Sequence, residues 1–169
     1  MITVETAYGP GRLVVDAAAR PIGTLLLSHG AGNGIDTRDL EALAAALPAE
    51  GFTVARFEQP WRVAGRKVAT APPTLDVGLK AAAAALGSVD AAAGPLIVGG
   101  RSAGARSACR SALGLGARGV LALAFPLHPP GKPEKSRKDE LLAGVPVLVV
   151  QADDWAAWLD PTLVDAGEL

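Results

Sequence analysis

A serine between two glycines occupies the segment GGRSAG, residues 99–104. The apolar run at residues 96–98 has the length of a buried strand, and the small residues that follow recur at helical spacing. A strand, a sharp Gly-x-Ser-x-Gly turn and a helix would lift the Ser102 hydroxyl clear of a sheet, where it can attack a carbonyl carbon. Gly100 and Gly104 suit that turn because Cβ atoms at these positions would collide.

The same glycines allow two other interpretations of the segment. Residues 99–104 have the glycine spacing of a phosphate-binding loop, but Ala105 stands where that loop requires lysine. The remaining alternative is an ordinary glycine-rich turn between a strand and a helix, with no chemical role for Ser102.

An earlier apolar run, residues 24–28, leads into a loop of small residues at positions 29–34. Small side chains let backbone N–H groups approach a substrate carbonyl oxygen, so the amides of Ala31 and Ala103 are predicted to form an oxyanion hole. His29 is expected to brace this loop by hydrogen bonding rather than to act as a catalytic base. The predicted substrate-binding residues are His29, Gly30 and Arg101.

Composition narrows the function classes. The chain has 169 residues and a net charge of −1, which predicts one domain over residues 1–169 and does not favour nucleic acid or an anionic membrane as partner. The single Cys109 excludes an intrachain disulfide and makes the cytoplasm the expected compartment. No apolar run is long enough to span a bilayer. The two histidines lack metal-ligand spacing, so neither a metal nor an organic cofactor is predicted.

Short apolar strand patterns alternate with helical patterns along the chain, which predicts an α/β fold: a mostly parallel sheet with helices on both faces. Asp36 and Thr74 are predicted to cap two of the helices, and residues 58–73 to form an irregular excursion. Ligands of such sheets bind at the carboxyl ends of the strands. The polar residues predicted to lie at those ends are His29, Ser102, His128, Asp153 and Asp154.

Four segments together resemble the α/β-hydrolase superfamily: LLLSHGAGNG, GGRSAG, FPLHPPGKPEK and VPVLVVQ, spread over residues 24–151. They are most similar to a dienelactone-hydrolase-like branch that includes the hydrolase-like domain of an NSL chromatin-complex subunit and a testis-expressed relative. The resemblance implies a serine hydrolase that acts on an ester, a thioester or a related acyl bond of a small molecule. It also implies that Ser102 is the nucleophile of a triad.

The resemblance breaks after Gln151. In that branch the triad acid is an aspartate whose place, counted from Gln151, is taken here by Trp155, with Asp153 and Asp154 just before it. No histidine and no clear closing strand or helix follow, so residues 152–169 are an atypical tail. A truncated or frame-shifted gene would produce this pattern. Alternatively, the tail is a short amphipathic helix that covers a sheet edge, and an edge left exposed would make a homodimer possible.

Two function hypotheses follow. In the first, the chain is a serine hydrolase in which Asp153 or Asp154 orients an imidazole, and His128 stands in for the absent late histidine. In the second, the chain is a catalytically silent member of the same fold that serves as a binding or scaffold protein. In that case His128 braces its proline-rich loop.

Overall fold

The structure is a computed structural model that describes residues 1–151. These residues form one seven-stranded sheet with the order β1-β2-β4-β3-β5-β6-β7. The β1–β2 and β2–β4 pairs are antiparallel, and the other pairs are parallel. The strands are β1 (Ile2–Thr6), β2 (Gly9–Asp16), β3 (Gly23–Ser28), β4 (Phe52–Glu58), β5 (Leu96–Arg101), β6 (Gly119–Leu123) and β7 (Val147–Val150). The predicted α/β class with a mostly parallel sheet is confirmed.

Helices cover both faces of the sheet. The α-helices are α1 (Arg38–Ala46), α2 (Pro60–Val63), α3 (Pro72–Leu86) and α4 (Ala103–Ser111). Short 3-10 turns occur at Leu47–Glu50, Leu113–Leu115 and Lys138–Leu141. Helices α3 and α4 pack on one face, and α1 packs on the other.

Alternation along each strand sends side chains into two separate apolar layers. In β3, Leu26 joins the layer under α3 and α4, which also contains Phe57 and Leu79. Its neighbours Leu25 and Leu27 join the layer under α1. Because the central strand is buried on both faces, its sequence TLLL carries no polar–apolar alternation.

Two predicted helix caps are wrong. Helix α1 begins at Arg38 after Thr37, whose backbone is extended with φ −77° and ψ 146°, so Asp36 lies outside the helix. Helix α3 begins at Pro72, and Thr74 lies inside its first turn. Two prolines can open that turn because their fixed φ is helical and their missing N–H groups would have no intrahelical partner there. The predicted cap at Thr74 is wrong because the two prolines that precede it already begin the helix.

The irregular excursion predicted at residues 58–73 is wrong in part, because β4 extends to Glu58, the four-residue helix α2 lies within it and α3 already begins at Pro72. Trp61 within α2 is 4% exposed, and its ring lies edge-on to that of His29, with the ring centroids 5.4 Å apart. The burial of this tryptophan anchors the start of the segment to the body of the domain.

The far edge of the sheet carries apolar surface in the described part of the chain. Strand β7 pairs with β6 on one side, and Leu148 and Val150 are 64% and 47% exposed. The predicted loss of the final strand and helix, and the predicted tail helix, concern residues 152–169 and lie outside the described residues. Within residues 1–151, no helix is both long and apolar enough to cross a membrane.

Three stretches of main chain meet at the carbonyl group of Ser28. A Cβ atom placed on Gly100 would lie 2.2 Å from the Ser28 oxygen, and one placed on Gly104 would also lie 2.2 Å from it. Both distances are far below van der Waals contact, and the obstacle is main chain in the central strand. The elbow predicted from GGRSAG therefore has the crossing that requires its two glycines.

We expect Gly104→Ala to lower the free energy of unfolding by at least about 2–3 kcal/mol, because strand and helix must separate to admit the methyl group. Gly114→Ala is the matched control, since nothing lies within 4 Å of a Cβ built there. Urea denaturation of the three proteins measures the effect. Equal losses of stability in the two variants would contradict the assignment of the crossing as a tight constraint.

Candidate active site

Ser102 has a strained backbone between β5 and α4. Its φ is 52° and its ψ is −109°, values that cost a non-glycine residue on the order of 1–3 kcal/mol. Its N–H donates to the Leu123 carbonyl at 2.9 Å, which ties the turn to the end of β6. The other non-glycine residue with positive φ in residues 1–151 is Ala124, at the end of that same strand. The strain in the described chain is thus concentrated at one corner of the sheet.

The Ser102 side chain is half-buried and makes no capping hydrogen bond to α4. Among the described residues, no group hydrogen-bonds its hydroxyl. The N–H of Ala103, the first residue of α4, also has no backbone acceptor among the described residues. The positive end of the α4 dipole adds to the attraction of this corner for a developing negative charge.

The loop at residues 29–34 lies directly beside this serine. A Cβ placed on Gly30 would be 3.4 Å from Ser102 Cβ and 3.4 Å from the Arg101 carbonyl oxygen. Ala31 is exposed, and its N–H has no backbone acceptor among the described residues. The N–H groups of Ala31 and Ala103, which are predicted to form the oxyanion hole, therefore both lack a backbone acceptor within residues 1–151.

The His29 ring is enclosed behind that loop and is 2% exposed. Its Nε2 accepts the Gln59 N–H at 3.0 Å, so the proton of the neutral ring is on Nδ1, which lies 2.7 Å from the Gly30 oxygen. Burial lowers the pKa of His29, an effect that bonding to Gly30 and the nearby Glu58 charge only partly offset. Both ring nitrogens are used within the protein, so the side chain does not offer a substrate-binding group.

Arg101, the second predicted substrate-binding side chain, lines an open cavity of about 750 Å³. It pairs with Asp39 of α1 at 2.7 Å, and each side chain is 27% exposed. Burial alone would raise the pKa of Asp39, but hydrogen bonds, including that from Arg101, outweigh it and lower the pKa. The cavity is lined by Asn33, Gly34, Asp36, Thr37, Arg38, Asp39, Arg62 and Arg101.

His128 follows β6 in the proline-rich loop and is 9% exposed. Its Nδ1 lies 3.1 Å from the carbonyl oxygen of Pro129. Nε2 has no hydrogen-bond partner among the described residues. Within residues 1–151, neither histidine hydrogen-bonds Ser102.

Ionic and backbone contacts hold the His128 loop against α4. The Arg106 guanidinium donates to both carboxylate oxygens of Glu140, at 2.6 and 2.7 Å. Arg137 donates through its backbone N–H to Leu127 at 2.6 Å and through its side chain to Pro126 at 3.2 Å. The charged residues that follow the proline-rich segment therefore include the anchor of this loop, rather than forming only a solvated surface.

Sequence reasoning missed Gln59, a side chain 1% exposed that supports the loop at residues 29–34. Besides its backbone bond to His29, its Nε2 donates to the Ser28 hydroxyl at 3.3 Å and to the Leu75 carbonyl at 3.1 Å. The available signal was its position immediately after β4, at the same edge as the serine. Asp153 and Asp154, the predicted acids, lie outside the described residues.

Cys109 does not compete as a nucleophile. Burial raises the pKa of its thiol to about 11, so it stays protonated at neutral pH inside the apolar layer under α4. Across residues 1–151, no group of three or more His, Cys, Asp or Glu side chains is placed to hold a metal ion.

Comparison with known proteins identifies the class. A family model described as an alpha/beta hydrolase domain matches residues 21–156. The chain therefore belongs to the alpha/beta hydrolase domain family. A sequence comparison with curated proteins found no match.

Solved structures share the fold. A lidless α/β serine hydrolase from Xanthomonas campestris is 23% identical in sequence and superposes with a TM-score of 0.70. The match covers 96% of this chain and 74% of that protein. An α/β serine hydrolase homologue from Coxiella burnetii is 17% identical with a TM-score of 0.73, and the match covers 89% of this chain and 72% of that protein. A dienelactone hydrolase from Anabaena variabilis is 13% identical with a TM-score of 0.63, covering 89% and 84%.

The lowered pKa of His29 predicts a pH dependence of stability. The unfolded chain binds a proton at His29 more readily than the folded chain, so the free energy of unfolding should fall as pH falls below about 6.5. His29→Asn should remove that part of the decline. Urea midpoints measured from pH 7.5 to 5.5 test this, with His128→Asn as the control that retains His29. An identical decline in His29→Asn and the wild-type protein would contradict the prediction.

Proposed function

We propose that this chain is a serine hydrolase that cleaves an ester, a thioester or a related acyl bond of a small molecule, with Ser102 as nucleophile. The observation that carries the proposal is the strained Ser102 at the glycine crossing, with Gly30 packed beside it. Strain of this kind persists where surrounding structure holds it, and it clusters at sites that perform chemistry. The family assignment agrees with this chemistry.

The proposed reaction has two halves. Ser102 Oγ forms a bond to the acyl carbon, the carbonyl electron pair moves to oxygen, and the hydroxyl proton passes to a base. The N–H groups of Ala31 and Ala103 stabilise the resulting oxyanion. When the tetrahedral intermediate collapses, the bond to the leaving group breaks and the leaving group receives the proton from the base. Water then attacks the acyl group on Ser102 in the same way, which releases the carboxylic acid and restores the Ser102 hydroxyl.

His128 is the proposed base. Of the two histidines in the chain, His29 has both ring nitrogens committed, whereas His128 Nε2 has no partner among residues 1–151. A proton on Nδ1, donated to the Pro129 carbonyl, would leave Nε2 as the acceptor that general-base catalysis needs. The carbonyl would then orient the ring as the acid of a triad does; if Asp153 or Asp154 is the acid instead, its carboxylate takes the place of that carbonyl at Nδ1.

We also propose the branch of the α/β-hydrolase superfamily to which the chain belongs. The segments GGRSAG and FPLHPPGKPEK support placement in the dienelactone-hydrolase-like branch that contains the NSL-subunit domain and its testis-expressed relative. Structural similarity to a dienelactone hydrolase agrees with this placement at the level of the fold.

The second candidate function is a catalytically silent binding or scaffold protein. It is favoured by one observation, that neither histidine hydrogen-bonds Ser102 among the described residues. Losing the base of a serine protease costs on the order of 10⁶ in turnover, about 8 kcal/mol of barrier. A chain without a working base would therefore show almost no hydrolysis, although its serine and oxyanion donors were intact.

A fluorophosphonate probe distinguishes the two functions. The wild-type protein should be labelled covalently, and Ser102→Ala should abolish the labelling because the attacking oxygen is gone. Ser111→Ala, a change on the same helix, should label normally. Mass spectrometry of the intact proteins measures the adduct. An unlabelled wild-type protein would support the silent alternative.

Base function is tested by the hydrolysis of p-nitrophenyl acetate. His128→Asn keeps a donor toward the Pro129 carbonyl but removes Nε2, so kcat should fall by about 10³-fold or more. Lys135→Ala, an exposed change in the same loop, should leave kcat unchanged. Unaltered turnover in His128→Asn would remove His128 from the mechanism without affecting the role of Ser102.

A further inference from the structure

We propose that His29 is a positioning residue, whose imidazole sets the direction of the peptide group between Gly30 and Ala31 and so aims an oxyanion donor at Ser102. This inference rests on the proposed function and adds to it the device that orients one half of the oxyanion hole. It concerns a side chain that reaches no substrate.

Peptide geometry links the direction of the Gly30 carbonyl to that of the Ala31 N–H. The Gly30 carbonyl and the Ala31 N–H belong to one peptide group, and no peptide bond in residues 1–151 is cis. In a trans peptide the C=O and N–H bonds point in opposite directions. Because His29 Nδ1 holds the Gly30 oxygen at 2.7 Å, the Ala31 N–H must point away from the ring. If the carbonyl were released, the peptide could rotate and take the donor with it.

Two observations show which side the donor faces. The ring is 2% exposed and lies behind the loop, toward the interior. Gly30 itself lies against the nucleophile, since a Cβ placed on it would be 3.4 Å from Ser102 Cβ. The Ala31 N–H is directed away from the ring. It therefore points out of the protein interior, next to the contact between Gly30 and Ser102.

The ring can act as donor at Nδ1 only in one tautomer, and the structure fixes that tautomer. The Gln59 N–H donates to Nε2 at 3.0 Å, so Nε2 cannot carry the proton. Gln59 is itself held by Ser28 and Leu75. It is also confined by α3, because a Cβ on Gly78 would lie 2.3 Å from its Oε1.

The environment also resists rotation and protonation of the ring. Trp61 packs edge-on at 60° to it, with the centroids 5.4 Å apart. The charged groups that act on it are Glu58 and Arg62, whose opposite signs partly cancel. A protonated ring would confront the Gln59 N–H with a second donor. Orientation and charge are thus both set by neighbours from α2, α3 and the end of β4.

A matched pair of variants separates positioning from general support. Asparagine at position 29 keeps a donor near the place of Nδ1 but loses the Nε2 acceptor. Glutamine can supply an acceptor near the place of Nε2 but loses the donor to Gly30. We expect the Gly30–Ala31 peptide to keep its direction in His29→Asn and to turn in His29→Gln. Crystal structures of both variants, with the backbone amide shift of Ala31 in solution, report this directly.

Catalysis supplies the second readout. With p-nitrophenyl acetate, His29→Gln should lower kcat by about 10- to 100-fold at unchanged KM, whereas His29→Asn should stay within about threefold of wild type. A purely structural role would instead make the two variants lose activity in step with their stability. Provided that the wild-type protein turns over, equal kcat values in the two variants would overturn the proposal. An unturned peptide in His29→Gln would overturn it in either case.

The wild-type protein provides a test that does not depend on variant folding or on activity. Imidazole nitrogen NMR should show His29 neutral, with the proton on Nδ1. A proton on Nε2 would overturn the inference even if Ser102 labels normally. If the tautomer and the peptide orientations are as expected but Ser102 does not label, the proposed function fails and the positioning of the peptide stands.

Discussion

The carbonyl oxygen of Ser28 is the point around which the rest of the site is arranged. Gly100 at the end of β5 and Gly104 in the first turn of α4 both pass so close to it that neither can carry a side chain. The parallel pairing of β3 with β5 brings Ser28 opposite Gly100, so the sheet itself imposes this meeting. The short glycine motif in the sequence thus reflects a steric requirement, because three backbone segments lie too close together there for a side chain to fit.

The side chains that support the site differ in how deeply they are buried. Next to the crossing, His29 and Gln59 are almost fully buried and bond only to neighbouring protein groups. Arg101 pairs with Asp39 in a partly exposed position, where solvent weakens the ionic attraction. The His128 loop is held by a bidentate Arg106–Glu140 contact and by backbone bonds to Arg137. The most deeply buried of these supporting side chains, His29 and Gln59, therefore lie behind the loop that contacts the strained Ser102.

Much of this was predictable from sequence because it depends on local and repetitive signals. Short continuous apolar runs identified the parallel strands. Gly100 and Gly104 predicted the sharp turn at Ser102. The caps at Asp36 and Thr74 failed because several residue types compete to begin a helix, and Thr37 or paired prolines prevailed. Such competition is decided by packing, which a single sequence does not reveal.

The position of Gln59 after β4 is visible in the sequence, but the contacts that define its role are not. Its contacts span 30 residues to His29 and 16 to Leu75, and no periodicity links those positions. Buried polar side chains are specified by the partners they find in three dimensions, not by their neighbours along the chain. The same holds for the Arg106–Glu140 pair, which joins α4 to a turn 34 residues later. Charge runs in a sequence do not distinguish such an anchor from a solvated surface.

The glycine crossing has an evolutionary consequence. Because it holds Ser102 through backbone contacts, the mostly exposed segment between α2 and α3, from residue 64 to residue 71, can diverge in length and composition without moving the serine. Descendants of such a scaffold would inherit the reacting atom unchanged while altering the walls around it. Changes at Gly100 or Gly104 offer no comparable freedom, and we expect lineages that lose either glycine to lose the serine's placement along with it.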